Sequence, residues 1–251
     1  MTTRKLAPAA RLRLALALVG AALGGAGCAT PGALHVYLLA AARAPEIRDE
    51  GPAPAPAVPS FLAPGETITG FAYDPFTDHF FLRLAPGNRI RVVDRPARSI
   101  KREFTVDRLP ASGGGDLAVR PRDGHLFFAV PHKPVLIETS RFGEWVRALS
   151  LPFNAAGVAY DAAHDRLLVT PETAATVARL DHDGRVLTML SPDHRIDPGP
   201  LGFDSERNEL YAPLAGENSM GVFDEQGHIQ RTVPLHPEFF DVGPRSFLRL
   251  F

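Results

Sequence analysis

Nine histidines, 28 aspartates and glutamates, and one cysteine are the side chains with which this 251-residue chain could do acid–base, metal or thiol chemistry. Histidines converging with carboxylates would hold a transition metal or move protons. Their spacing speaks against a common centre. His79, His125 and His164 occupy the same place in three similar segments, in or beside a turn, and His182 and His228 share a second such place at hairpin signals. Equivalent turn positions point around a rim, so these read as solvated turn residues. His132 and His194, on loops outside the pattern, are the better surface-site candidates. Asp74, Asp161 and Asp204 resemble a carboxylate set, but they too stand one per segment, at strand ends where such residues bond turn amides. Gly216-Glu-Asn-Ser-Met-Gly221 has one residue too many before its serine for a hydrolase elbow. Gly113-Gly-Gly115 lacks the lysine and helix of a phosphate-binding loop and reads as a connection.

The elements that must position these residues repeat. The anchors Asp74, Arg120, Asp161 and Asp204 are separated by 46, 41 and 43 residues, a period of propeller blades or solenoids. Arg120 stands where the other copies have aspartate, and Ser140 where they have Asp94, Asp181 and Asp224. Each unit opens on a short strand with Ala or Gly in the middle: Phe71-Ala-Tyr, Leu117-Ala-Val, Val158-Ala-Tyr, Leu201-Gly-Phe. A small residue there suits an innermost strand where blades crowd. Turns follow at Asp78, Gly124, Asp165 and Asn208, residue types that tolerate left-handed backbone. Bulky second strands come next, then third strands ending on the second anchor, then fourth strands. Four short strands per unit predict an all-β β-propeller of four-stranded blades. Four repeats span about 65–237. A fifth blade could be closed by both termini, with Val242 onward as inner strand and Val36–Leu39, Glu46–Arg48 and Ser60–Leu62 as its partners. The prolines of 51–59 weigh against it, which leaves four and five blades as alternatives. Trp145, the single tryptophan, is expected to pack between sheets, with an exposed binding anchor as the other reading.

Residues 1–27 read as an export signal, with basic Arg4, Lys5, Arg11 and Arg13, an apolar run from Leu14 to Leu23, and small residues before Cys28. That run is too short for a permanent membrane span. Without it, 23 basic groups face 28 acidic ones, a net of −5, which argues against nucleic acid as a partner, since that calls for a basic stripe. Leu23-Gly-Gly-Ala-Gly-Cys28 resembles a bacterial lipoprotein signal sequence, although Gly25 stands where an apolar residue is usual. The resemblance implies acylation of Cys28, and Ala29 after it implies the outer membrane. Residues 28–64, with the Pro/Ala run, are then an extended tether, and 65–251 the propeller domain.

Gly70-Phe-Ala-Tyr-Asp-Pro75 followed by Gly87-Asn-Arg-Ile-Arg-Val-Val-Asp94 resembles the NHL repeat and its YVTN-type and SMP-30/gluconolactonase-like relatives. The resemblance covers about two-thirds of the chain and bears on fold more than activity. Enzymes of that kind hold a divalent cation in the channel, through a glutamate at an inner-strand entrance and Asn/Asp side chains. Only Asp116 offers a carboxylate at such an entrance here, with Asn154 and Asp197 upstream of their strands. The sequence therefore leads to an exported, lipid-anchored protein- or ligand-binding platform of the bacterial envelope, without a cofactor. Its specificity would lie in loops Leu109–Asp116, Thr139–Trp145 and Ser191–Leu201. The alternative is a metal-dependent hydrolase or lactonase using Asp116 with Asn154 or Asp197.

Overall fold

A computed structural model describes residues 34–39, 45–51, 54–106, 108–110 and 114–244. The residues expected to form the export signal, and Cys28, lie outside the described residues. Twenty strands form five antiparallel four-stranded sheets. The first blade holds β4 (Thr67–Asp74), β5 (His79–Ala85), β6 (Arg89–Asp94) and β7 (Ser99–Thr105). The second holds β8 (Leu117–Arg120), β9 (His125–Ala129), β10 (Val135–Thr139) and β11 (Trp145–Ser150). The third holds β12 (Ala155–Asp161), β13 (Arg166–Pro171), β14 (Val177–Leu180) and β15 (Val186–Leu190). The fourth holds β16 (Gly202–Asp204), β17 (Glu209–Pro213), β18 (Met220–Phe223) and β19 (Ile229–Val233). Inner strands touch in the closed order β4, β8, β12, β16, β20, β4. The ring has five blades.

The fifth blade is split between the chain ends. Its inner strand β20 (Phe240–Pro244) pairs with β1 (Leu34–Leu39), which is followed outward by β2 (Glu46–Asp49) and β3 (Val58–Pro59). Val36 lies opposite Val242 and Leu38 opposite Phe240. The stretch expected as a tether therefore supplies three strands of the ring, and the five-bladed alternative is the correct one. The prolines do not prevent it, because Pro59 stands in the outermost strand, where a missing ladder donor costs nothing.

Each sheet is buried on both faces, so neighbouring residues of a second strand pack into different cores. Phe81 joins Phe128 and Leu117 between the first and second blades, while Phe80 joins Tyr37 and Ile47 between the first and the fifth. Five such clusters fill the interfaces between blades. Close approach explains the small residue of the inner strands. A Cβ on Gly202 would sit 3.0 Å from Phe240 and from Val242 of the next blade. The turns behave as expected: Asp78, Asp165 and Asn208 have φ of 59°, 52° and 57°, and Gly124 has 74°. The anchors also do what strand-end aspartates do. Asp74 accepts from the Phe76 amide, Asp161 from Ala163 and His164, and Asp204 from Glu206 and Arg207.

Two places depart from expectation. Trp145 does not pack between sheets; it opens the outermost strand β11, 38% exposed, with the Arg108 guanidinium 4.3 Å above its ring. Arg120, in place of an anchor aspartate, reverses the local charge. Asp123 and Glu138 answer it at 2.9 and 2.8 Å, and Glu138 in turn binds Arg147 at 2.6 Å.

Candidate functional site

An inner strand has one edge paired to its second strand and the other turned to the ring axis, where its amides need acceptors. Two carboxylates meet that need. Asp116, immediately before β8, accepts from the Val158 amide of the third blade at 2.9 Å and from the Leu201 amide of the fourth at 3.4 Å. Asp241, in β20, accepts from the Tyr73 amide of the first blade at 2.9 Å and from Val242 at 2.8 Å. Asp116 thus ties the second, third and fourth blades together near the axis, and Asp241 ties the fifth to the first.

Burial pushes the Asp116 carboxyl well above the usual carboxylate range, and the negative charge of Asp241 adds to the effect. Asp241 is pushed up to about 7 by burial, against the amide hydrogen bonds that favour its charged form. The residue keeps some accessible surface.

A cavity of about 370 Å³ opens where the inner strands begin. All five blades contribute to its wall: Thr69, Asp116 with Gly114 and Gly115, Ala156, Pro200, and Glu238 with Phe239. The local backbone is specific to this end. Gly115 has φ 142°, and a Cβ there would meet the Ala129 carbonyl oxygen at 2.2 Å. Its amide bonds the Thr69 carbonyl at 3.1 Å. Behind it lies Arg83, 1% exposed, whose Nη1 donates to the Gly115 and Ala129 carbonyls at 3.3 Å each. Burial lowers this guanidinium to about 10, and its Nη2 has no hydrogen-bond partner among the described residues.

Of the sequence candidates, Asp116 alone lines the cavity. Asn154 donates to Glu172 at 3.2 Å, and Asp197 stands 3.6 Å from His236; neither is part of the wall. Among the described residues no three His, Cys, Asp or Glu side chains are grouped to hold a metal ion. His79, His125 and His164 sit by their turns at the far ends of the inner strands, against Asp94, Glu138 and Asp161. His132 is 88% exposed beside Glu172, and His194 pairs with its neighbour Asp193. Residues 114–116 and Pro200 of two of the loops expected to vary line the cavity, while 139–145 lies at the outer flank. Asp241 and Arg83 were not singled out from sequence. The signal for Arg83 was present, since Ala129, Thr170 and Pro213 fill its place in the other repeats.

No protein-family model matches the chain, and no curated protein matches it. Solved structures do. A chain in the nidogen/laminin complex aligns at 14% identity over 83% of this chain and 98% of that one, with a TM-score of 0.56. A protein of unknown function from Bacteroides caccae aligns at 10% identity over 86% and 100%, also at 0.56. Kuenenia stuttgartiensis hydrazine synthase aligns at 13% identity over 67% of this chain, with a TM-score of 0.47; this chain spans 49% of that longer one. At these identities the likeness is one of fold: a five-bladed β-propeller.

Proposed function

We propose that this protein is an exported, lipid-anchored binding platform of the bacterial envelope, and that its ligand is a small molecule seated at the channel mouth. The observation that carries this reading is the cavity of about 370 Å³ walled by all five blades, with buried Asp116 and the rim residue Glu238 as its carboxyl groups. Pockets of this size with few, converging polar groups are the usual form of small-molecule sites. Two carboxyl groups beside Thr69 and apolar Ile68 and Phe239 select a ligand with an amine or several hydroxyl donors and an apolar flank. The metal-dependent hydrolase is the lesser reading, because its three residues do not share this cavity.

Cys28 supplies the anchor in this reading, and the nidogen/laminin likeness makes a protein partner the variant of it to test second. The first test is a thermal-shift and calorimetric screen of small amines, amino sugars and polyols against the mature protein. A ligand that raises the unfolding temperature, and loses its effect in Asp116→Asn and Glu238→Gln, supports the site. Binding unaffected by both substitutions removes the channel mouth from the proposal.

A further inference from the structure

One position of the outermost strands, just past the bulge, is equivalent in four blades. It holds Arg102 in β7, Arg147 in β11, Thr188 in β15 and Arg231 in β19, opposite Val92, Glu138, Arg179 and Val222 of the third strands. In the second and fourth blades the protein itself neutralises this arginine. Arg147 binds Glu138 at 2.6 Å and Asp183 of the third blade at 2.9 Å. Arg231 binds both oxygens of Glu209, at 2.6 and 2.8 Å.

The first blade breaks this rule. Val92 stands where Glu138 does, and Phe142 stands where Asp183 does. Arg102 keeps the bond between blades alone: its Nη2 donates to the Arg141 carbonyl at 2.9 Å, as Arg147 donates to that of His182. The freed guanidinium lies 4.8 Å from the centre of the Phe142 ring. Arg141, at the position of His182, brings a second guanidinium to 6.0 Å from the same ring. Both arginines are half-buried, and the Nε of each is buried without a hydrogen-bond partner. Among the described residues neither has a carboxylate within ion-pair reach. Asp74, whose charge bears on both, is fully buried and accepts from the Phe76 amide and the Thr77 hydroxyl. Burial lowers the Arg102 guanidinium below its ordinary range, and the charge of Arg141 lowers it further. Compared with the next interface, this one has lost two carboxylates and gained a cation.

We propose that Arg102 and Arg141, with Phe142 between them, form a binding site for a phosphate monoester on the outer flank between the first and second blades. Two like charges held together in a poorly solvated place repel, and an anion between them relieves the repulsion. A phosphate monoester carries nearly two negative charges and three acceptor oxygens, so one group answers both guanidiniums. A carboxylate, with a single charge, leaves one of them unanswered. Guanidinium edges are matched to phosphate oxygens, and the 56% exposed Phe142 ring offers an apolar surface beside them. The same group could come from a soluble ester or from a lipid headgroup. The site is independent of the channel mouth, where the carboxyl groups are Asp116 and Glu238.

Calorimetry of the purified full-length chain with inorganic phosphate, against chloride at equal ionic strength, tests the site. Phosphate is expected to bind and to raise the unfolding temperature. Arg102→Gln and Arg141→Gln are each expected to weaken binding about tenfold or more, as loss of a charge-assisted hydrogen bond does. Phe142→Asp, which restores the carboxylate of the third blade and keeps both arginines, is expected to abolish it. Vesicles then decide the source, in the Cys28→Ser chain so that no acyl chain contributes. Sedimentation with phosphatidic acid but not phosphatidylcholine, reversed by inorganic phosphate, would assign the group to a lipid headgroup. Phosphate binding without sedimentation would assign it to a soluble ester. A response to phosphate no greater than to chloride, or one that the two glutamine variants and Phe142→Asp leave unchanged, would overturn the proposal.

Discussion

Arg83 and Thr170 stand at the same place in the second strands of the first and third blades and bond the same kind of atom. Arg83 Nη1 donates to the carbonyl of Gly115 at 3.3 Å, and Thr170 Oγ1 to that of Gly199 at 2.8 Å. Each glycine stands just ahead of the next blade's inner strand. One repeat position thus fastens each of these blades to its successor, by a hydroxyl in one case and a buried guanidinium in the other.

The guanidinium is the costlier device, since burial works against its charge. Arg83→Ala should lower stability by about 2–4 kcal/mol, from the lost volume and two unbonded carbonyls. Arg83→Met, which refills the volume without the charge, should recover most of that loss. Urea unfolding of the three proteins measures both. Equal losses for Ala and Met would mean that the hydrogen bonds, not the volume, dominate.

Asp241 gives a pH dependence whose sign is fixed. Its folded value of about 7 lies above the ordinary 3.8, so the folded state keeps a proton that the unfolded chain sheds. The stabilisation is complete below the unfolded value, falls as pH rises, and is gone once pH passes the folded value. The full effect is about 4 kcal/mol. Asp241→Asn should flatten this part of the profile between about pH 4 and about pH 8. Parallel wild-type and mutant profiles across that range would show that Asp241 titrates normally.

Arg120 holds together a buried charge cluster with Glu138, which is 2% exposed. Arg120→Ala leaves Glu138 with fewer donors in a poorly solvated place. The expected loss is about 3–5 kcal/mol, read by denaturant midpoint. Arg120→Asp, which restores the anchor of the other repeats, should do worse, because it sets a second carboxylate near Glu138. The double variant Arg120→Asp with Glu138→Gln should recover part of the loss.

Cys28→Ser should move the protein from the membrane fraction to the soluble one, with its unfolding temperature unchanged. Fractionation of cells after a high-salt wash checks it. A serine variant that stays with the membrane would end the lipid-anchor reading.

The repeat frame was legible because a propeller blade writes its constraints locally. Asp78, Gly124, Asp165 and Asn208 are turn residues by type, and the Ala or Gly of each inner strand records a packing distance that no larger side chain fits. The closing blade was half legible. β1 and β20 are apolar enough to read as strands, but only three-dimensional closure pairs Leu38 with Phe240, and Pro59 reads as a breaker until its edge position is known. The site was least legible. Asp116 could be picked out by its place at a strand entrance, whereas Asp241 has no counterpart among the clear repeats, and its role comes from an amide in another blade. Trp145 misled because a lone tryptophan is more often core, and here three arginines, Arg102, Arg108 and Arg141, stack around it and Phe142.

The split blade also sets a timetable. β1 leaves the ribosome before every other strand described, yet its partner β20 lies about two hundred residues later. Until β20 arrives, Tyr37, Val36 and Leu38 have no inner strand to lie against, and the first blade lacks a neighbour on one side. The ring is therefore a garment fastened by its last stitch. Pairing between such distant segments makes folding slow, and chains stopped short of Phe240 should remain open, sticky and readily degraded, however complete their other four blades.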